Sequence, residues 1–395
     1  MAAENQRPWL PGELATTERQ RDPFSWFASM REAGPVRYDE QRETFDVFWY
    51  DEVSEVITDY ERFSRVGTSY IEGHMASRDP PLHTELRNGV ADYFRPRFLK
   101  NYREEIKGQA EQLVDEALAD GETVQFVDDL AKPLPILVIA EMLGIPGEKL
   151  ETFREWSRTL AAAPETDSVA ARRQLEAEQD RALSEVKDFF AAALEKRETT
   201  PRNDLTTAVL RMEQESDLLD RDNAIAQCGH LLIAGNVTTT AFLANAIWTF
   251  IEEGVLEAVI DGHLNLEDAL EEVLRYRSPV MPGKRYARTD TEIAGVDVPE
   301  GARVMAWLSS ANRDERAFRE PDAFVPDRDP DIQPIPFGKG IHHCLGAPLA
   351  RMEARVLFTT LFDRIEGATL TEEPIQPFFS PEVYGPAELP VTVRR

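Results

Sequence analysis

The chain has 395 residues, 42% of them hydrophobic, with 21 glycines, 26 prolines and two cysteines. This composition supplies a sizeable core, and it excludes a wholly disordered chain, a collagen-like repeat and a disulfide framework. Acidic residues number 72 against 44 basic ones, so the net charge is −28, which argues against nucleic-acid binding through phosphate contacts.

The charge balance also predicts a halophilic source. The basic residues are 36 arginines and only 8 lysines. A surface rich in carboxylates and poor in lysine suits a chain that stays hydrated in concentrated salt, where screening suppresses its self-repulsion. The alternative is an ordinary acidic cytoplasmic enzyme.

In chain order, helical periodicity and capping predict helices over residues 22–34, 51–63, 103–119, 170–198 and 220–252. Alternation predicts a strand over 44–50, and short β-branched runs broken by glycine and proline predict a hairpin over 291–307. The chain is therefore expected to be mainly α with a minor β portion.

The organisation predicts one cytoplasmic domain over residues 1–395. No linker or repeat divides the chain, so we expect no fused reductase or ferredoxin module. The first residues lack the basic and apolar regions of a secretory signal, and no stretch of about 18 apolar residues predicts a membrane anchor.

A glycine-rich segment within 336–362 leads to Cys344 and then to a helical pattern. A cysteine in front of a helix N-terminus meets unpaired N–H groups and a dipole that favour a thiolate. Glycines let the backbone pass close to a flat group. A bare cysteine at a helix start is more often a small buried hydrophobe, so the surrounding pattern decides between the two interpretations.

This segment resembles the haem-thiolate loop of the cytochromes P450 in the pattern Phe337-Gly338-x-Gly340-x-His342-x-Cys344-x-Gly346. The resemblance implies the cytochrome P450 fold, with a long central distal helix, small β-sheets and a proximal cysteine loop. It implies haem b (iron protoporphyrin IX) as cofactor and Cys344 as the axial iron ligand, whose thiolate favours O–O bond cleavage. Phe337, Gly338 and Gly346 would contact the cofactor, with Phe337 beside the sulfur.

The sequence Glu272-Val-Leu-Arg275 resembles the ExxR helix of the same family. On a helix these two side chains share a face and form an ion pair readily, although alone such a pair is a weak signal. Arg328 matches the family's third partner. The resemblance therefore implies that Glu272, Arg275 and Arg328 form a buried structural network that holds the cysteine loop.

Four residues match the family's clamps for the two haem carboxylates, which need cationic or N–H donors when partly buried. They are His83, Arg87, Arg285 and His342. Without the resemblance, His83 and Arg87, four residues apart, would be interpreted as a pair on a helix surface.

The predicted helix 220–252 is apolar all round, so we expect it to cross the core. It resembles the family's distal helix in the motif Ala234-Gly235-Asn236-Val237-Thr238. The resemblance makes Thr238 the candidate that relays protons to dioxygen, with Ala234, Gly235 and Thr239 completing the catalytic site. The Thr238 hydroxyl can also bond to the Ala234 carbonyl and bend the helix. The alternative is a threonine-rich core helix.

Val237 departs from the family pattern, which has Asp or Glu before the threonine. A valine cannot pass protons from solvent. Protons could be delivered by Asn236, Thr239 and ordered water in place of the acid, or by a hydroxyl of the substrate. Alternatively, the iron is used with peroxide or for chemistry other than monooxygenation. The second function class is a haem-binding sensor or carrier with impaired oxygen activation.

The family positions predict a mostly apolar substrate pocket near 66–77, 280–282 and 385–387, for a steroid, terpenoid or fatty-acid-like molecule. Its predicted lining includes His230, Ile233, Val280, Met281 and Ala387. His230 could equally be a satisfied helix residue that faces away. Cys228 and Cys344 cannot ligate an iron–sulfur cluster. The resemblance therefore implies O2 and a small hydrophobic substrate, with a separate ferredoxin and ferredoxin reductase as electron donors, and we expect a monomer.

The net charge of −28 generates a salt prediction. We expect the unfolding midpoint, followed by absorbance of the bound cofactor, to rise with KCl or NaCl up to molar concentrations, well beyond the range where simple screening saturates. A flat or falling midpoint over that range would count against a halophilic source.

Overall fold

The computed structural model describes residues 10–69, 71–119, 121–161, 169–328, 331–378, 380 and 382–395. In these ranges the α-helices are α1 (Thr17–Arg21), α2 (Phe24–Ala33), α3 (Tyr50–Thr58), α4 (Leu82–Ala91), α5 (Pro96–Leu99), α6 (Arg103–Ala117), α7 (Pro133–Leu143), α8 (Leu150–Ala161), α9 (Val169–Thr199), α10 (Leu205–Glu215), α11 (Arg221–Glu252), α12 (Leu256–Ile260), α13 (Leu266–Tyr276), α14 (Leu308–Ala311) and α15 (Ala347–Phe362). The strands are β1 (Val36–Asp39), β2 (Thr44–Val47), β3 (Phe63–Ser64), β4 (Thr123–Gln125), β5 (Pro282–Ala287), β6 (Thr291–Ile293), β7 (Val296–Val298), β8 (Arg303–Trp307), β9 (Gly367–Leu370), β10 (Gln376–Pro377), β11 (Pro386–Glu388) and β12 (Pro390–Arg394). The prediction of a mainly α fold with a minor β portion is confirmed.

The long helix α11 crosses the core, as its apolar composition predicts. Asp220 caps it, accepting from the Asn223 N–H while the Asn223 side chain accepts from the Asp220 N–H. It packs against α7, α8, α9 and α10. By length and composition one 18-residue stretch of α11 could span a membrane, but 72% of that stretch is buried inside the protein, as expected of a core helix.

The largest sheet has the strand order β1-β2-β8-β5-β3, and its β2–β8 pair is parallel while its other pairs are antiparallel. Together with α3 it forms a second apolar cluster beside the main helical core. The smaller sheets are β4-β12-β9, β10-β11 and β6-β7. The largest sheet supplies one wall of the candidate site, because Arg285 lies on β5.

The hairpin predicted over 291–307 is only partly correct. Strands β6 and β7 form it, around a turn in which Ala294 and Gly295 both have positive φ. Strand β8 instead leaves the hairpin and joins the large sheet between β2 and β5. All five β8 residues are buried, so burial on both faces outweighs the local pairing that the sequence pattern favours.

The helices over 22–34, 103–119, 170–198 and 220–252 are confirmed within two residues at each end, as α2, α6, α9 and α11. The predictions for 44–50 and 51–63 placed their boundaries wrongly, since the strand ends at Val47 and the helix runs from Tyr50 to Thr58. A residue remote in sequence sets the helix start: the Tyr50 N–H donates to the buried carboxylate of Asp314 at 2.8 Å.

Candidate active site

The loop before α15 presents Cys344 at the helix N-terminus, as the sequence predicts. The Cys344 N–H donates to the Phe337 carbonyl at 2.9 Å, which closes the loop on itself. Gly338 and Gly340 have φ of 69° and 73°, a region that favours glycine. A Cβ on Gly340 would lie 3.2 Å from the Thr58 Cα, so the loop can lie against α3 only with glycine there.

The Cys344 side chain is accessible, although enough protein surrounds it for burial to raise the pKa of its thiol. The amides of Gly346 and Ala347 donate toward the sulfur and oppose that rise. Cys228 is different: it is fully buried in α11, and burial strongly raises the pKa of its thiol. Of the two cysteines, therefore, only Cys344 is placed to bind a group.

Glu272 and Arg275 form a buried ion pair on α13. The Arg275 Nε donates to Glu272 Oε2 at 2.9 Å and Nη2 donates to Oε1 at 2.7 Å. The remaining Arg275 N–H groups donate to the carbonyls of Asn312, Pro321 and Ala323 at 2.7–3.0 Å. These contacts match all five N–H groups of the guanidinium, which is what a buried charge requires.

The network extends to the cysteine loop through two further residues. Arg328 donates to Glu272 Oε1 at 3.3 Å, as the resemblance implies. Asn312 accepts from Arg275 through its carbonyl, and its side-chain oxygen accepts from the Ile335 N–H at 2.7 Å. Ile335 in turn accepts from the Gly338 N–H at 3.0 Å. The ion pair is thus connected by hydrogen bonds to the start of the loop.

The four predicted clamp residues are joined by a fifth, Arg65, which the sequence motifs do not indicate. The rings of His83 and His342 meet edge to face, with centroids 4.3 Å apart. Both ring nitrogens of His83, Nε2 of His342 and Nε of Arg65 are buried without a hydrogen-bond partner in the described part of the chain. Arg285 is 3% exposed, and its guanidinium donates to the carbonyls of Lys284 and Ile57.

This cluster carries positive charge that the described residues offset only in part. Among them no carboxylate forms an ion pair with Arg65, Arg87 or Arg285, although Asp79 and Glu382 lie within electrostatic reach of Arg65. Burial, and then Arg65, lowers the pKa of Arg285 well below its usual range. Burial, followed by Arg87, lowers the pKa of His83 to about 4.

Unpaired buried cations are costly, and orphaned N–H donors add to that cost. An anionic group among these side chains would remove both penalties. Arginines and imidazoles converging on one place fit a group that carries two carboxylates. The residues present therefore fit the cofactor that the cysteine loop implies.

One face of α11 is accessible although the helix crosses the core. The accessible or half-buried residues recur with helical spacing: His230, Ile233, Ala234, Val237 and Thr238. Residues spaced three and four apart share one side of a helix. We call these five residues the open face of α11. Burial, and then Arg65, lowers the pKa of His230 and also that of His342 in the cysteine loop, so Arg65 lies within electrostatic reach of both walls.

Within the open face, the Thr238 hydroxyl donates to the Ala234 carbonyl at 2.9 Å, as predicted. Val237 lies on the same face, so no acidic side chain occupies it. Asn236 and Thr239 are 6% and 5% exposed, and they point away from this face. Helical phase turns both into the core, so the structure gives no support to Asn236 and Thr239 as substitutes for the missing acid.

His230 does not face away from the site. Its ring stacks on that of His74, with centroids 3.8 Å apart and planes 7° from parallel. His74 is a residue that the motifs do not single out, although it falls in the predicted pocket segment 66–77. Only the tertiary structure brings it onto α11, so no sequence signal identifies the pair.

The other predicted pocket residues differ in how deeply they are buried. Val280 is half-buried and forms an isolated bridge with Val383, and Ala387 is half-buried on β11. Met281 is 1% exposed and belongs to the main core. The structure therefore shows almost no accessible surface on Met281, and its place in the substrate pocket stays a prediction. Gly235 lies near α7, where a Cβ would be 3.8 Å from Ile139.

A family model described as Cytochrome P450 matches residues 265–390. The chain is 37% identical over 377 residues to putative cytochrome P450 YjiB of Bacillus subtilis (strain 168), covering 93% of this chain and 95% of the relative. It is 37% identical over 389 residues to cytochrome P450 109 of Bacillus spizizenii, covering 97% and 95%. The crystal structure of CYP109E1 from Bacillus megaterium in complex with testosterone superposes with a TM-score of 0.90 at 34% identity, covering 95% of this chain and 99% of that one.

The chain therefore belongs to the cytochrome P450 superfamily. It has the P450 fold and is a P450 monooxygenase, an oxidoreductase of a family whose cofactor is haem.

The buried ion pair generates a folding prediction. Glu272→Ala leaves the Arg275 guanidinium without its carboxylate, at a cost of about 3–5 kcal/mol. We expect largely insoluble protein without haem, measured as soluble yield and haem absorbance per protein. Glu267→Ala on the same helix is the matched control, because Glu267 pairs with exposed Arg355 and its loss costs little. Stable, haem-loaded Glu272→Ala protein would contradict the prediction.

Proposed function

We propose that this P450 uses haem b to insert one oxygen atom of O2 into a hydrophobic small molecule, with electrons from a separate ferredoxin and its reductase. One observation carries the proposal: an accessible cysteine lies beside a cluster of arginines and histidines, and Arg65 of that cluster is within electrostatic reach of His230 on an otherwise apolar helix face. We further propose a cytoplasmic location.

In this proposal Cys344 is the iron ligand, and the amides of Gly346 and Ala347 stabilise its thiolate form. His83, Arg87, Arg285 and His342 hold the two carboxylates, and we propose Arg65 as a fifth member of this set. The orphaned ring nitrogens of His83 and His342 support these roles. A thiolate-ligated haem supplies the activation of dioxygen.

Thr238 is the proposed proton-relaying residue. The Thr238 hydroxyl donates to the Ala234 carbonyl, with the two oxygens 2.9 Å apart. The Thr238 oxygen can therefore still accept a hydrogen bond from a donor at the open face. Val237 has no proton to offer there. Protons must therefore come from water or from the substrate itself.

Val237 favours a second candidate, a P450 that works with peroxide and so needs less proton delivery. A haem-binding protein with impaired oxygen activation would turn over substrate neither with O2 and NAD(P)H nor with peroxide. Two assays distinguish the three. Substrate-dependent NAD(P)H consumption with product formation in a reconstituted ferredoxin system identifies the monooxygenase, and product formation with added hydrogen peroxide alone identifies the peroxide-driven enzyme. A sensor forms no product in either assay.

The substrate class is proposed as steroid-, terpenoid- or fatty-acid-like. Ile233, Ala234, Val237 and Val280 offer mainly apolar surface, which suits a hydrophobic molecule. The testosterone bound in the CYP109E1 crystal structure supports the steroid choice by similarity. Separate electron donors are proposed because the two cysteines, one buried and one assigned to the haem, cannot ligate an iron–sulfur cluster in this chain.

Ligation is tested by the ferrous–CO spectrum, whose red-shifted Soret band requires a thiolate opposite CO. We expect Cys344→Ala to abolish this band, because Cys228 is buried in α11 and cannot replace it. Cys228→Ala is the matched control and should keep the band. A red-shifted band in Cys344→Ala would refute the assignment.

Proton delivery is tested at position 237. General acid catalysis by a positioned group is worth roughly 10²–10⁴-fold, so we expect Val237→Glu to lower the peroxide released per NAD(P)H consumed. Thr238→Ala should raise it. The comparison uses one substrate and equal haem content.

Val237→Gln is the control, because glutamine has the shape of glutamate without its acid. An equal fall in peroxide release with Val237→Gln would mean that the polarity of the side chain, and not its acid group, causes the effect. Unchanged coupling in folded Val237→Glu would mean that water or substrate already supplies the protons. A charged side chain beside the apolar face also costs several kcal/mol of desolvation, so thermal stability of each variant is measured alongside.

A further inference from the structure

The mechanism leaves His230 without a role, although it lies on the open face of α11. It precedes Ala234 by four residues and Thr238 by eight, so the three lie along one line of the helix. A molecule lying along the open face would pass His230 at the end remote from Thr238. The remaining side chains of that face, Ile233, Ala234 and Val237, offer only apolar surface.

His74 fixes the His230 ring in place. His74 is 1% exposed, its Nδ1 accepts from the Ala76 N–H at 3.1 Å, and its Nε2 lies 3.1 Å from the Ser69 hydroxyl. Because Nδ1 accepts, neutral His74 carries its proton on Nε2 and donates to Ser69. Both nitrogens are thus used, and the ring is a rigid platform on which His230 stacks at 3.8 Å.

The His230 nitrogens, by contrast, have no hydrogen-bond partner among the described residues, and the side chain remains partly accessible. Burial, with a smaller contribution from Arg65, lowers the pKa of His230 to about 3. The ring is therefore neutral near pH 7 and offers one N–H donor and one acceptor. A polar group held in an apolar wall costs free energy until something pairs with it.

We propose that His230 is a specificity-determining residue that hydrogen-bonds an uncharged oxygen, a ketone or hydroxyl, at one end of an otherwise hydrophobic substrate. The inference rests on the proposed function and names its substrate class more closely. A neutral imidazole favours such an oxygen over a carboxylate, because it brings no charge to compensate one. His74 is a positioning residue that sets the orientation of the His230 ring.

The test measures dissociation constants by equilibrium dialysis and by the absorbance shift of the haem. The probes are testosterone and 5α-androstane, which share a steroid skeleton but differ in their ketone and hydroxyl oxygens. The variants are His230→Phe, which keeps a ring to stack on His74, and His230→Gln, which keeps a donor and an acceptor. His263→Phe is the matched control, since His263 is exposed and remote in sequence from the open face.

In the wild-type protein we expect testosterone to bind more tightly than androstane. His230→Phe should reduce that preference roughly 5- to 10-fold, the size of one hydrogen bond, with the loss confined to testosterone. His230→Gln should restore most of it, and His263→Phe should match the wild type. A purely structural role for His230 would weaken both probes together.

An unchanged preference in His230→Phe overturns the inference alone and leaves the proposed function standing. A second pair, dodecanol and lauric acid, tests the charge: selective weakening of lauric acid in His230→Phe would overturn the claim that the oxygen is uncharged. Haem-loaded wild-type protein that binds no probe would overturn both the inference and the steroid-like substrate class. Absence of the thiolate CO band in the wild type would overturn the proposed function by itself.

Discussion

The ion pair between Glu272 and Arg275 is the interaction on which the site depends. Removing both charges from water is expensive, and only a complete set of hydrogen bonds makes the burial tolerable. The carbonyls that complete it, at Asn312, Pro321 and Ala323, belong to the irregular chain that leads to the cysteine loop. That chain has little regular secondary structure of its own, so its hydrogen bonds to the guanidinium hold it in place. The Asn312 side chain extends this network by accepting from the Ile335 N–H.

The site is rich in positively charged side chains, whereas the molecule as a whole is strongly negative. A chain of net charge −28 gathers Arg65, Arg87 and Arg285 around two neutral histidines and provides none of the three with an ion pair in its described residues. Such an arrangement is unfavourable for the protein alone. It becomes favourable when a dicarboxylate enters, so binding of the cofactor contributes to stability directly. Cofactor and fold are coupled through charge as well as through the cysteine.

The sequence predicts those parts of the site that local pattern or motif spacing determines. Glu272 and Arg275 are one helical turn apart, and Cys344 precedes a helix in a glycine-rich loop; each local pattern alone is a weak signal, and the resemblance to the family's motifs assigns both. Neither is enough for Arg65 and His74, because each follows a short irregular stretch and reaches the site only through tertiary packing. Helical phase alone turns Asn236 and Thr239 away from the face that carries Thr238, so their burial can also be predicted from the sequence.

The open face offers few polar side chains to a bound substrate. Its only hydrogen-bonding side chains are the Thr238 hydroxyl, already engaged with the Ala234 carbonyl, and the His230 imidazole. The two are eight residues apart on the helix, about 12 Å along its axis, and apolar surface separates them. A substrate long enough to contact both would exclude water between them, so its orientation and the route of protons to Thr238 are set by the same molecule. The proposed specificity at His230 and the proposed proton supply at Thr238 therefore depend on one and the same molecule.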